Sequence, residues 1–109
     1  FFTSMTRLHY DEKGVLLHTH GDYPLAMKEV AKRLGVTCFD LEKLSYDFLA
    51  PSSFETNCGY YMVFEPNLYP HYPEGLHDTS HLSVKGAKLV SRLLWGEMKK
   101  NPVLESLFL

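Results

Sequence analysis

The chain alternates between short apolar runs and apolar stripes at helical spacing. Residues 1–5 and 36–40 are apolar runs of strand length, so both are predicted to be strands from the interior of a sheet. Two shorter extended pieces, residues 7–10 and 15–17, lie on either side of the polar turn 11–14, which closes on a glycine. The pattern predicts two principal strands and a turn between two extended pieces.

Longer segments have the periodicity of amphipathic helices. The first predicted helix begins at Asp22, which can cap it, and ends at Gly35, because glycine suits the left-handed conformation after a helix. Its apolar stripe consists of Leu25, Val30 and Leu34. The second helix follows Asp40 and stops before Pro51. Asp40 ends a predicted strand, but capping this helix is its favoured role.

The rest of the chain is less regular. Residues 60–65 fit either a helix or a strand, and residues 66–77 form a long irregular loop rich in proline and aromatic residues. Ser83 can cap a last long amphipathic helix. A short helix is predicted within residues 101–109, docked through Val103, Leu104, Leu107 and Phe108.

The order strand, helix, strand, helix, loop, helix indicates an α/β fold with a parallel sheet covered by helices. Two principal strands are too few for such a sheet, which normally has several strands and is covered on both faces. Residues 1–5 also read like the middle of a strand and include neither a starting methionine nor a signal peptide. We therefore expect one partial domain over residues 1–109, which forms a homo-oligomer or associates with a missing N-terminal half.

Composition narrows the function classes. The 109 residues are 45% hydrophobic, which is typical of a globular protein rather than a disordered one. A net charge of −2 argues against a general nucleic-acid binder, and no apolar run approaches the roughly 18 residues of a membrane span. We therefore expect neither a nucleic acid nor a membrane as partner.

The clearest chemical candidate is the pair Asp78 and His81. A neutral imidazole suits the role of general base because its pKa lies near working pH. A carboxylate on its other ring nitrogen fixes the tautomer and stabilises the imidazolium. A spacing of three places both side chains on the same side of a helical turn. The same spacing also occurs in ordinary helix caps, so it does not establish catalysis by itself.

Other polar and aromatic residues have competing interpretations. Four histidines invite a metal hypothesis: His18, His20, His71 and His77. No zinc-type spacing with cysteine completes such a set, so we predict no metal and no cofactor. Cys38 and Cys58 could pair, although a buried free thiol at Cys38 is favoured. Trp95 is predicted to pack rather than to bind a ligand.

Four sequence blocks, in order, resemble one enzyme family. Residues 78–87 read Asp-Thr-Ser-His-Leu-Ser-Val-Lys-Gly-Ala and resemble the last conserved block of the SGNH, or GDSL-type, hydrolases. Residues 19–24, 36–41 and 69–75 resemble the rhamnogalacturonan acetylesterase branch of that family. The resemblance covers roughly residues 3 to 95.

The resemblance implies the C-terminal part of a flavodoxin-like, three-layer α/β/α fold with parallel strands. It implies a secreted or periplasmic esterase that removes acetyl groups from pectic polysaccharide through a serine ester, without a metal. His81 would be the general base and Asp78 its orienting acid. Tyr69, Tyr72 and His77 are candidate substrate contacts, and the two tyrosines could stack on sugar rings or simply cover the core.

The chain departs from the family pattern in one respect. It contains neither a Gly-Asp-Ser block, which carries the nucleophile, nor a Gly-x-Asn-Asp block, which carries an oxyanion donor; Gly21-Asp22 is followed by Tyr23. Loss of the serine alone costs on the order of 10⁶-fold in kcat, so the isolated chain is expected to have no esterase turnover. The alternative is an inactive fragment or degenerate homologue that serves only as a binding or assembly module.

Overall fold

The computed structural model describes residues 1–107. The helices and strands follow in the order α1 (Tyr23–Leu34), α2 (Leu41–Leu49), α3 (Phe54–Asn57), β1 (Tyr61–Phe64), β2 (Leu76–Leu82), α4 (Val84–Met98) and α5 (Pro102–Glu105). A 3₁₀ turn, Cys58–Tyr60, leads into β1, so the undecided segment 60–65 is mainly a strand. No helix within residues 1–107 combines the length and the apolar character that crossing a membrane requires.

The mixture of helix and strand agrees with the predicted α/β class, but the pairing differs from the expected parallel sheet. β1 and β2 form an antiparallel two-stranded sheet. The two runs predicted to be principal strands meet in one parallel bridge, between Phe2 and Phe39. There the Thr3 N–H donates to the Phe39 carbonyl at 3.0 Å. The predicted burial of these runs holds only in part, since Thr3 is fully buried whereas Phe2 and Val36 are about half exposed.

The helix ends show which capping predictions were correct. Gly35 ends α1 in the left-handed conformation, with φ 64°, as predicted. Asp40 accepts from the Lys43 N–H, and Ser83 accepts from the Gly86 N–H, so both cap their helices. Asp22 makes no capping side-chain bond, because its backbone is helical rather than extended and the carboxylate cannot turn back over the first turn.

The core lies between the N-terminal segment, α2 and β1. Its buried centre consists of Leu8, Leu16, Leu49 and Tyr61. The Tyr61 hydroxyl donates to the carbonyl oxygen of Thr6 at 2.5 Å, and burial raises the pKa of this tyrosine. β1 is thereby tied to the N-terminal segment across 55 residues of sequence.

Large apolar surfaces stay open on the described part of the chain. The α1 stripe is exposed rather than buried: Leu25, Val30 and Leu34 are exposed by 57%, 46% and 71%. Val103 and Leu107 are more than 70% exposed, so the predicted docking of the tail is wrong for them; Phe108 lies outside the described residues. The radius of gyration is 16.0 Å, against about 13 Å for a compact domain of this length. The apolar stripe of α1 is not packed onto the core.

Candidate active site

The Asp78–His81 pair is built by a bulge in β2. Met62 is opposite Asp78, and the next residue back in β1, Tyr61, is opposite Leu82. Residues 79–81 therefore have no partner on β1 and bulge out of the ladder. The predicted helical turn is wrong, because these residues belong to a strand. The bulge, rather than helical spacing, brings the two side chains together.

Within the bulge, Asp78 holds both the backbone and the ring of His81. One carboxylate oxygen, Oδ1, accepts from the N–H groups of Ser80 and His81, each at 2.9 Å. The other, Oδ2, lies 2.7 Å from Nδ1 of His81. These bonds join residues within four consecutive positions, a local pattern that aspartate side chains commonly form.

The protonation state of Asp78 decides the tautomer of His81. The backbone N–H groups of His81 and Ser80, followed by the His81 side chain, lower the pKa of Asp78 to about 2. The carboxylate is therefore ionised near neutral pH and can only accept. In a neutral ring the proton must sit on Nδ1, which leaves the lone pair on Nε2. The arrangement thus presents an oriented base.

The His81 imidazole faces solvent. The His81 side chain is 81% exposed, and Nε2 makes no hydrogen bond within residues 1–107. The nearby Ser83 is not a nucleophile for it, because its hydroxyl donates to the Gly59 carbonyl at 2.7 Å and caps α4. An incoming hydroxyl or water can therefore reach Nε2 without displacing a protein group.

The candidate substrate residues fall into two different places. Tyr69 and Tyr72 form a small bridge, and both meet Phe64 edge-to-face at centroid distances of 4.8 and 5.4 Å. They line an apolar cavity of about 550 Å³ on the β1 side. His77 instead stacks on Phe54, with ring centroids 5.5 Å apart, in a separate depression. The structure does not bring His77 together with the tyrosines, and neither cavity is lined by Asp78 or His81.

The remaining candidates have structural surroundings. Among residues 1–107, no group of three or more histidine, cysteine or acidic side chains is placed to hold a metal ion. Cys38 and Cys58 are free thiols, as favoured, although Cys38 is half-buried rather than buried. Trp95 is 41% exposed on α4, with the Lys99 ammonium 6.0 Å from its ring centroid.

Two long-range contacts of histidines were not predicted. Nδ1 of His18 lies 2.7 Å from Oε1 of Glu42, and the imidazole stacks on Tyr46 at 3.9 Å. Nε2 of His9 lies 3.0 Å from Oγ1 of Thr79, inside the bulge. The partners are 24 and 70 residues apart, so no local spacing in the sequence could have indicated either contact.

Two curated relatives of this chain are rhamnogalacturonan acetylesterases by name, in agreement with the resemblance seen in the sequence. RhgT, a rhamnogalacturonan acetylesterase of Bacillus subtilis (strain 168), is 41% identical over 97 residues, which cover 86% of this chain and 40% of that protein. YesY of the same organism, named a probable rhamnogalacturonan acetylesterase, is 32% identical over 107 residues, covering 96% of this chain and 45% of that protein. The chain spans less than half the length of these relatives. No protein-family model matches the chain, and no solved structure matches it with significance.

Proposed function

We propose that this chain supplies the general base and its orienting carboxylate to a serine esterase that removes acetyl groups from rhamnogalacturonan-type pectic polysaccharide. The observation that carries the proposal is the 2.7 Å contact between Asp78 Oδ2 and His81 Nδ1, with Nε2 open to solvent. The names of the two relatives support the substrate class.

The chemistry would be acyl transfer in two halves. His81 Nε2 takes the proton of a serine hydroxyl as its oxygen attacks the acetyl carbonyl carbon, and Asp78 stabilises the imidazolium that forms. The tetrahedral intermediate collapses, and His81 returns the proton to the sugar oxygen as the acetyl ester bond breaks. Water, activated by the same ring, then releases acetate from the serine. The serine and the oxyanion donors belong to another segment of the esterase.

The proposal also assigns a fold to the complete esterase. It would be a flavodoxin-like, three-layer α/β/α protein in which residues 1–5 and 36–40 are neighbouring parallel strands. The Phe2–Phe39 bridge supports this assignment because its direction is parallel.

The tyrosine cavity is the proposed sugar-binding surface. Aromatic rings bind sugars by presenting a flat apolar face together with a polar edge. Tyr69 and Tyr72 are 51% and 39% exposed, so their rings are accessible. His77 lines a separate depression together with His9 and Thr79, so it would meet a different part of the polymer.

The open apolar surfaces favour association as a second role, either with a copy of the chain or with the segment of the proposed esterase that carries the serine. Phe1 and Phe2 are about half exposed and adjoin the open edge of the N-terminal strand. Unpaired edges and exposed apolar faces promote association in water. A monodisperse monomer by light scattering, with amides of residues 1–6 protected from exchange, would contradict this role.

A chimaera tests the esterase proposal. In RhgT, the segment similar to this chain is replaced by this chain, and acetate release from acetylated rhamnogalacturonan is measured. His81→Ala is expected to lower kcat by about 10⁶-fold, and Asp78→Ala by about 10⁴-fold. His18→Ala is the matched control, because this imidazole also pairs with a carboxylate at 2.7 Å. Full activity of the His81→Ala chimaera would refute the proposal, and the isolated chain is expected to show no turnover.

A further inference from the structure

The bulge that carries Asp78 and His81 is attached to the N-terminal segment through one residue, Thr79. The Leu8 N–H donates to the Thr79 carbonyl at 3.0 Å. The next residue, His9, reaches the Thr79 hydroxyl with Nε2 at 3.0 Å. Two successive residues of the N-terminal segment therefore hold the backbone and the side chain of the same bulge residue.

The attachment point is tied to the buried core and to a hydrogen-bonded turn. Leu8 is 1% exposed and belongs to the buried core. The Leu17 N–H donates to the His9 carbonyl at 2.8 Å, which closes a hairpin whose strands meet in the Tyr10–Leu16 bridge. The Asp11 side chain accepts from the N–H of Val15 at 2.9 Å and further fixes the turn. These contacts hold the His9 backbone independently of the contact between its ring and Thr79.

The bonds inside the bulge orient Asp78 with respect to His81, but they do not fix the bulge with respect to the core. Residues 79–81 lack ladder partners on β1. The contacts of Thr79 with Leu8 and His9 supply that missing constraint. A base must be held close to its productive position, because a displacement of about 1 Å can cost about 100-fold in rate.

We propose that His9 is a positioning residue: through the Thr79 hydroxyl it holds the bulge in the conformation that places Nδ1 of His81 on Asp78. This inference rests on the proposed function, because it assigns the contact a role in the same site. The Leu8–Thr79 backbone bond supports the same geometry and is independent of the His9 side chain, so loss of His9 weakens the constraint without removing it.

The test measures the imidazole tautomer of His81 in the chain itself, from the ¹⁵N shifts of its two ring nitrogens near pH 8. In the unmodified chain the proton is expected on Nδ1. His9→Phe and Thr79→Val are expected to shift both resonances toward the Nε2–H form, and His9→Gln, which keeps a hydrogen-bonding group, to restore them in part. His71→Phe is the matched control, since it changes an exposed histidine outside the depression that His9, His77 and Thr79 share.

The outcomes separate the two proposals. If Nδ1 carries the proton and neither His9→Phe nor Thr79→Val changes the tautomer, the role of His9 is refuted while the esterase proposal stands. If the unmodified chain carries the proton on Nε2, the Asp78–His81 pair does not form and both proposals fail. In the RhgT chimaera, His9→Phe is expected to lower kcat by about 10-fold with KM unchanged, which a loss of substrate binding would not produce.

Discussion

The molecule contains two histidine–carboxylate pairs with the same separation of 2.7 Å, His81–Asp78 and His18–Glu42. The first pair forms within four residues of a strand bulge, and its carboxylate also accepts two backbone N–H groups. The second joins the end of the N-terminal hairpin to α2 across 24 residues, and its carboxylate side chain is only 12% exposed. The distance alone does not distinguish a site from a structural contact.

The difference lies in the surroundings of the ring, because both side chains are largely exposed, by 61% for His18 and by 81% for His81. His18 stacks on Tyr46, whose hydroxyl donates to the Leu16 carbonyl, so that pair fastens the hairpin to α2. His81 is 81% exposed, and its Nε2 has no hydrogen-bond partner among residues 1–107. A carboxylate-paired imidazole is useful for catalysis only where its second nitrogen can reach a substrate. The sequence block at residues 78–87, rather than the separation of the two groups, makes Asp78–His81 the candidate site.

The largest expected effect is on stability, and it tests whether the Asp78–His81 pair depends on the packing of α4. A Cβ at Gly86 would lie 1.9 Å from the Tyr60 carbonyl oxygen, so Gly86→Ala must push α4 away from the turn before β1. We expect it to cost about 3 kcal/mol in the free energy of unfolding, measured by urea denaturation. The ¹⁵N shifts of the two ring nitrogens of His81, which report its tautomer, should stay unchanged in the folded fraction.

Gly96→Ala is the control on the same helix. No atom lies within 4 Å of the Cβ it would add, so it is expected to stabilise the chain by about 0.5–1 kcal/mol. Loss of the His81 signature in folded Gly86→Ala protein would show that the pair depends on α4 rather than on its own four residues.

The next effect concerns the His18–Glu42 pair, whose carboxylate is largely buried. Glu42→Ala removes a side chain that is largely buried and leaves His18 without its carboxylate, so we expect a loss of about 1–3 kcal/mol in unfolding free energy. Asp47→Ala, on the same helix, removes an exposed carboxylate paired with Lys43 and should leave stability nearly unchanged. Equal losses from the two substitutions in urea denaturation would contradict a structural role for the His18–Glu42 pair.

The smallest effect is on the titration of Asp78. His81→Ala removes the ring but leaves the two backbone N–H donors, which hold the pKa down most strongly. We expect the pKa of Asp78 to rise from about 2 only part of the way toward 3.8, measured by ¹³C NMR of its carboxyl group. His77→Ala, which touches neither donor, should not change it.

The direction of the pH dependence follows from the lowered pKa. Because the pKa of Asp78 is lower in the folded chain than the roughly 3.9 of an unfolded aspartate, its contribution to stability is complete above that value. This contribution to stability is lost as the pH falls toward about 2.

One outcome of the His81→Ala measurement would contradict the prediction. If the pKa of Asp78 returned fully to 3.8, the ring rather than the backbone N–H groups would be the main cause of the lowered pKa.

The sequence by itself determined the features that depend on a few consecutive residues. The ends of α1, α2 and α4 followed from Gly35, Asp40 and Ser83, because caps and left-handed glycines act within one turn. The proximity of Asp78 to His81 was also foreseen, although the predicted helical turn proved to be a bulged strand. A spacing of three does not by itself distinguish these two backbones.

Only the tertiary structure decided which distant residues the imidazole rings of His9 and His18 contact. The partners in His18–Glu42 and His9–Thr79 are distant in sequence, and their contacts exist because the N-terminal hairpin packs through Leu8 and Leu16. The antiparallel pairing of β1 with β2 and the exposure of α1 likewise depend on which surfaces meet. Local geometry is encoded in neighbouring residues, whereas long-range contacts depend on the whole set of packed elements. For this reason the Asp78–His81 pair could be foreseen and the His18–Glu42 pair could not.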